Sequence, residues 1–335
     1  MPILLDIAKR AGVAPITVSR VINNSGYVSQ STRERVEAAV KELGYVPNTI
    51  ARGLRSKRTH TLALIVTDIT NPFFTSMARG VEDAAGASNY TVIYCNTDES
   101  EAKEEKYANM LAQRQVDGVL LVPSCGNATT IKFLESNDID VVVLDRRISG
   151  VRSDIVCSDS ENGANRLVKL LIGLGHKQIA IITGQKDVST SSDRVIGYQQ
   201  ALREAGLGES EMIYYGAFNE QSGYELTNQA MKQSPKPTAI FGGNNFIAIG
   251  IIKALHDLKF DIPGDISVVG FDDLPDSMFM KPFLTVARQR SYDMGRLATE
   301  LLLKRISGEL PEEHREIILP VEIVVRESSG PNRAS

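Results

Sequence analysis

From residue 62 onward the chain alternates between two kinds of segment, and this alternation limits its fold more than any other feature. Short apolar runs at 62–66, 91–95, 118–122, 141–144, 179–182, 239–241 and 266–270 read as buried strands. Longer stretches at 73–87, 102–115, 162–174, 192–205, 223–232, 247–259 and 292–306 carry apolar residues at helical spacing. Strands that are apolar throughout need cover on both faces, so the pattern predicts α/β architecture, parallel sheets sandwiched by helices. The length exceeds one open sheet of about six strands, and two sub-domains are expected. In such sheets ligands sit beyond the carboxyl ends of the strands, which places two strand edges face to face across a cleft.

Those strand ends carry a coherent set of side chains. Asn71, Phe73 and Phe74 follow the first strand, and Asp145 with Arg146 follows the run at 141–144. Arg194 opens the helix after 179–183 and its loop, and Phe218 follows 213–215. Asn244 follows 240–241, Asp272 follows 268–271, and Gln289 follows 284–286. Each alone has a purely structural reading: helix-capping Asn and Asp, a solvated Arg, a core Phe. Together, amide and carboxylate oxygens beside guanidinium forks suit a molecule dense in hydroxyl groups. Phenylalanine rings suit the C–H faces of a sugar ring. Asp145 and Asp272 balance Arg146 and Arg194, so a neutral ligand is expected, because an anion would leave buried carboxylates unpaired.

Motifs for bond-making chemistry are missing. There is no Gly-x-x-x-x-Gly-Lys phosphate loop, no Gly-x-Gly-x-x-Gly after a strand and no His-Glu-x-x-His. The expectation is a binding protein rather than an enzyme, with no cofactor and no metal. His176 follows Gly175 in a turn, and Ser189, Thr190, Ser191 and Ser192 read as a loop with a helix N-cap. Cys95, Cys125 and Cys157 are widely spaced in or beside apolar runs and read as reduced, mostly buried thiols. The N-terminus lacks a basic segment followed by a long apolar core, and no apolar run approaches the ~18 residues of a membrane span. A cytoplasmic location is expected.

Charge divides the chain unevenly. Up to Arg58 there are ten Lys or Arg against four Asp or Glu, a net +6, whereas the other 277 residues carry −10. A small basic head points to a polyanion. Within it Leu5, Ile7, Ala8 and Ala11 make one helical face, and Gly12 offers a left-handed turn. Pro15 opens a second helix with Val18, Val21 and Ile22 inward and Ile16, Thr17, Ser19, Arg20 and Asn23 outward. A third helix is expected over 31–43, with Ser31-Thr32-Arg33-Glu34 as a capping box and Val36, Ala39, Val40 and Leu43 as its core stripe. Two short helices around a glycine turn, buttressed by a third, make residues 1–46 a helix-turn-helix unit. Residues 47–59 read as a short hinge helix. Pro47 ends what precedes it, Asn48 is a good N-cap, and Ala51 and Leu54 share a face. Too short to persist alone in water, this helix should order only against a partner.

The string Asp6-Ile7-Ala8-Lys9-Arg10-Ala11-Gly12-Val13, with Thr17-Val18-Ser19-Arg20-Val21-Ile22-Asn23, resembles the LacI/GalR family of transcriptional regulators. The likeness continues through Tyr45-Val46-Pro47-Asn48 and Ala51-Arg52-Gly53-Leu54 into the body. The resemblance implies that Pro15, Ile16, Thr17, Arg20 and Asn23 face the major groove of double-stranded operator DNA. It also implies that Asn48, Ala51, Leu54 and Arg55 meet the minor groove, with Leu54 as an apolar wedge between base steps. The body, 60–330, is implied to cross between sub-domains near 160, 290 and 321. One sub-domain would then hold 60–160 plus 290–320, the other 161–289 plus 321–330. The strand-end set is similar to that of ribose-binding periplasmic proteins and ribose-type repressors, which implies ribose or a close pentose as effector.

Two features depart from the family pattern. Ala14 stands where Ser is usual, so the second helix lacks a side-chain cap worth ~1 kcal/mol. Pro15 and Ile16 offer a base only apolar contact, leaving Arg20 as the strong guanine reader. The expected protein is a repressor with a sugar as inducer. It should work as a homodimer, since one reading helix covers only a half-site. A global regulator answering to a partner protein, and a sugar-binding transport protein, are the alternatives. A co-repressing sugar would use the same parts.

Overall fold

The structure, a computed structural model, describes residues 2–45, 58–274 and 282–333. The chain divides into two units, Met1–Thr59 and His60–Ser335.

The first unit holds α1 (Leu4–Ala11), α2 (Pro15–Ile22) and α3 (Gln30–Leu43) around Ile7, Ala8, Ala11, Val18, Val21, Val36 and Ala39. Gly12 ends α1 at φ +65° and returns its N–H to the Ala8 carbonyl, the left-handed turn that Gly adopts without strain. Ala14 precedes Pro15 in extended backbone and makes no side-chain cap. Two expectations fail here. Leu5 is 47% exposed rather than part of the core. The capping box at Ser31 does not form: α3 starts at Gln30 with Ser29 as its N-cap position, and the Ser29 hydroxyl donates to Thr32 Oγ1 at 2.9 Å. A reach-back contact forms instead in α1, where Asp6 Oδ2 accepts the Ile3 N–H at 2.9 Å.

The second unit is built on two six-stranded sheets. β1 (Thr61–Val66), β2 (Thr91–Asn96), β3 (Gly118–Leu121), β4 (Asp140–Leu144), β5 (Asp154–Ser158) and β11 (Glu316–Leu319) make the first. Its order is β11-β5-β4-β3-β1-β2, all parallel. β6 (Ile179–Thr183), β7 (Met212–Tyr215), β8 (Ala239–Gly242), β9 (Ser267–Phe271), β10 (Thr285–Arg288) and β12 (Glu322–Val324) make the second. Its order is β12-β10-β9-β8-β6-β7, with β12 antiparallel to β10. Helices α4 (Pro72–Ala87), α5 (Glu101–Gln113), α6 (Thr129–Glu135) and α11 (Ser291–Ile306) cover the first sheet. The second is covered by α7 (Ser160–Gly173), α8 (Ser189–Glu204), α9 (Glu220–Ala230) and α10 (Asn245–Asp257).

The period of a strand explains this sandwiching. Along β1, Leu62, Leu64 and Val66 join one core with α4 and α11, while Ala63 and Ile65 join another with α5 and α6. The chain leaves the first sheet after β5, returns after β10 through α11 and β11, and re-enters the second at β12. β5, β11, β12 and α6 are absent from the sequence reading. β11 and β12 lie at sheet edges and half-exposed, so they lack the continuous apolar run that marks the central strands. Glycine seats α4 against α11: a Cβ on Gly80 would lie 2.1 Å from the Tyr292 carbonyl, and one on Gly295 would lie 2.1 Å from that of Met77. Cys95 and Cys157 are buried free thiols, and Cys125 is half-buried. Among the described residues no helix is long and apolar enough to cross a membrane.

Candidate functional site

In the first unit, α2 turns Pro15, Ile16, Arg20 and Asn23 outward, with Thr17 half-buried. Ile16 is 55% exposed. The Asn23 amide folds back, its Nδ2 donating to the Ser19 carbonyl at 2.8 Å and to Ser19 Oγ at 3.2 Å. Asn48, Ala51, Leu54 and Arg55, and most of the proposed hinge with them, lie outside the described residues.

In the second unit, a cavity opens between the carboxyl ends of the two sheets. Asn71, Phe73, Phe74, Asp145, Arg146, Arg194, Phe218, Asn244, Asp272 and Gln289 all line it, joined by Asp68, Glu99 and Thr190. Helix starts place several of these groups. Asn71 caps α4, its Oδ1 accepting the Phe73 N–H at 3.0 Å, and Asn244 caps α10, its Oδ1 accepting the Ile247 N–H at 2.8 Å. Phe73 and Phe74 meet edge to face at 5.0 Å. The Phe218 ring fills the space beside Gly184, where a Cβ would lie 2.2 Å from it. Arg194 does not open its helix: α8 begins at Ser189, so Arg194 reaches the cavity from the second turn, and Ser189 to Ser192 are helical rather than loop.

The two buried aspartates occupy matching positions. Asp145 follows β4 at φ +62°, and Asp272 follows β9 at φ +68°. Left-handed backbone costs an L-residue ~1–2 kcal/mol, and Asp is among the few side chains that visit it. Nothing in the residue pattern announced this conformation.

The guanidinium groups differ in their partners. Arg146 forms a fork with Glu99, both contacts at 2.6 Å, donates to the Pro123 carbonyl at 2.8 Å, and lies 5.4 Å from the Phe218 ring centre. Arg194 donates to the Gly243 carbonyl at 2.5 Å and stacks 4.0 Å over the Phe271 ring, with no carboxylate in contact among the described residues. Burial opposes charge on both. For Arg146 the hydrogen bonds and charge of Glu99 outweigh burial and hold its pKa up, whereas for Arg194 burial prevails and pulls it down. Burial also raises the Asp145 carboxyl, and it pushes Asp272 up to about 6 against the pull of Arg194 and Gln289.

The expected charge balance needs correction. With Asp68 and Glu99 the lining carries four carboxylates against two guanidiniums, a formal −2. Asp68 stands two residues past β1 and could have been found by the strand-end rule. Glu99 sits in the loop after β2, where only the fold brings it to Arg146. Four buried polar atoms in this lining have no hydrogen-bond partner among the described residues: Asp145 Oδ1, Arg146 Nε, Arg194 Nε and Gln289 Oε1. They come from both lobes, and orphaned buried groups of this kind are costly unless something binds them. The cavity volume is about 30 Å³.

A helix-turn-helix unit followed by two facing α/β lobes is the plan of a bacterial regulator with a periplasmic-binding-protein-type sensor. Residues 3–48 match the family model of bacterial regulatory proteins, lacI family. Residues 59–327 match that of periplasmic binding proteins and the sugar binding domain of the LacI family. The ribose operon repressor of Halalkalibacterium halodurans is 37% identical over 98% of this chain and 97% of its own. The transcriptional repressor PurR of Aliivibrio salmonicida is 35% identical over 98% and 99%. Among solved structures, the lac repressor dimer bound to operator and the anti-inducer ONPF aligns with a TM-score of 0.85 at 28% identity, covering 98% of this chain and 99% of that one. A LacI family regulator from Enterococcus faecium with bound ribose aligns at 0.72 and 30% identity, covering 81% and 99%. The chain belongs to the LacI family of bacterial regulatory proteins.

Proposed function

We propose that this chain is a homodimeric repressor that binds operator DNA through its helix-turn-helix unit and releases it when a neutral sugar, ribose or a close pentose, occupies the cleft. The observation that carries the reading is the set of four unpartnered buried polar atoms on residues that line the cleft from both lobes. A carboxylate oxygen, an amide oxygen and two guanidinium N–H groups match the alternating donors and acceptors of a polyol. The excess of carboxylates speaks against an anionic effector, and Phe73, Phe74 and Phe218 offer C–H faces. The ribose operon repressor and the ribose-bound regulator among its relatives support the same ligand class.

Pro15, Ile16, Thr17, Arg20 and Asn23 are the proposed major-groove readers, and Asn48, Ala51, Leu54 and Arg55 the minor-groove contacts. The effector must engage both lobes, so it fixes their relative position. The hinge joins the lobe that begins with β1. In a dimer, moving that lobe alters the spacing of the two hinges, and a helix too short to persist alone loses its minor-groove partner. The effector shifts this balance only by its preference for one arrangement, typically ~1–3 kcal/mol of coupling.

The test is an operator titration with and without saturating ribose, paired with a thermal-shift series of pentoses, hexoses and purine bases. Ribose should raise the melting temperature and weaken operator binding 5- to 150-fold, about the usual coupling range. Tighter operator binding with ribose reverses the sign. Stabilisation by a purine base alone removes the pentose.

A further inference from the structure

We propose that Asn245 is a positioning residue: its reciprocal amide pair with Asn71 latches the two lobes shut across the cleft and gates entry of the effector. The proposal rests on the sugar-cleft reading above.

Asn71 belongs to the first lobe and Asn245, the first residue of α10, to the second. Asn71 Nδ2 donates to Asn245 Oδ1 at 2.9 Å, and Asn245 Nδ2 donates to Asn71 Oδ1 at 2.9 Å. Both side chains are buried. Each oxygen also accepts a backbone N–H from its own helix, Phe73 at 3.0 Å and Phe246 at 2.8 Å. Both oxygens therefore use two lone pairs, and each amide is held in one orientation before it meets the other. Asn71 has one N–H left for anything else, although it lines the cavity. Asn245 does not line the cavity at all.

A second contact between the lobes lies beyond Asp145 and Arg146. Ser189 Oγ, at the start of α8, accepts the Arg147 N–H at 2.8 Å, and Arg147 Nη1 meets Asp193 at 2.6 Å. Ser189 and Asp193 also stand outside the cavity lining. With both latches made, the two strand edges close over a cavity of about 30 Å³. A pentose enters only when the lobes part, which breaks both latches. The latches thus set the fraction of protein open to effector, and that fraction scales the association rate.

The readout is the distance between nitroxide labels on exposed Lys106 of α5 and Arg203 of α8 in full-length protein. The labels are attached through a non-natural amino acid, so the native thiols stay untouched. Without effector the wild type should give mainly the short distance. Asn245→Ala should shift the closed-to-open ratio about twenty-five-fold toward open, and Ser189→Ala by about fivefold, as expected for two lost hydrogen bonds and one. Ribose should associate faster with both variants than with wild type. If both variants keep a wild-type circular dichroism spectrum and an unchanged distance distribution, or if effector-free wild type is already open, the latch is wrong. Should Asn245→Ala fail to fold, Asn245→Asp, which keeps an acceptor for the Phe246 N–H but loses the donor to Asn71, carries the same test. A shifted distribution that ribose fails to return to the short distance supports the latch and counts against the pentose.

Discussion

The two lobes present the cleft with nearly the same parts and treat them differently. Each offers an aspartate in left-handed backbone just past a central strand and an arginine buried behind it. In the first lobe the arginine is spoken for: Arg146 is forked to Glu99 through both terminal nitrogens, leaving Nε without a hydrogen-bond partner among the described residues. In the second, Arg194 rests on an aromatic face and a single carbonyl, with Asp272 and Asp145 acting on it only through their charge. A buried charge with a bidentate partner is part of the scaffold, and one without is available to a ligand. In the proposed effector cleft the first lobe would therefore supply a rigid wall, and the second the charge that reads the effector.

The sharpest test of that contrast is a pair of arginine truncations. Arg146→Ala leaves Glu99 part-buried without its partner, and unfolding should become easier by about 3–5 kcal/mol, the usual cost of breaking a buried pair. Arg194→Ala strands no paired carboxylate, so its melting temperature should fall much less. Its effector affinity should drop about a hundredfold, as for a lost hydrogen bond to a charged group with a desolvated partner left behind. Both are read by thermal melts and calorimetric titration of the full-length protein. Equal losses of stability in the two variants would erase the distinction between wall and reader.

Proton linkage gives a smaller effect in the same lobe. The Asp272 carboxyl, pushed up to about 6 by burial, has an unfolded counterpart near 3.9. Between about pH 4 and pH 6 the folded chain holds a proton that the unfolded chain has lost, so this group's contribution to stability declines as pH rises through that window. Effector binding runs the other way, because a sugar hydroxyl donates best to the ionised carboxylate. Affinity should fall about tenfold from pH 7 to pH 5 as Asp272 protonates, and Asp272→Asn should flatten that profile. A slope that survives in Asp272→Asn belongs to another group.

Much of this organisation is legible in the residue order, for a physical reason. Central parallel strands must be apolar on both faces, so β1, β3, β4, β6, β8 and β9 stand out as uninterrupted runs, and the residues just past them fall at the cleft by topology. The order is silent wherever partnership is set by the fold. Glu99 and Arg146 are far apart in the chain, and only the closed loops bring them into a fork. Asn245, beside the capping Asn244, reads as one more helix-start amide, and its pairing with Asn71 needs both lobes in place. Edge strands β11 and β12 escape notice because half their side chains face outward.

The smallest difference lies in the aromatic contacts of the two arginines. Phe271 is wholly buried beneath Arg194, whereas Phe218, from the second lobe, lies 5.4 Å from Arg146 of the first and is part-exposed. A cation over a ring is worth ~0.5–1 kcal/mol at exposed sites and ~2 when desolvated. Phe218→Leu keeps an apolar side chain beside Gly184 but removes the ring that spans the lobes. Stability should stay close to wild type, because Arg146 keeps Glu99. Effector affinity should fall about threefold to tenfold, reflecting that contact and the lost sugar-facing ring. Leu at 218 with wild-type affinity would mean that the ring serves the second lobe's core alone, and that the first lobe meets the effector through Asp145 and Phe73 without its help.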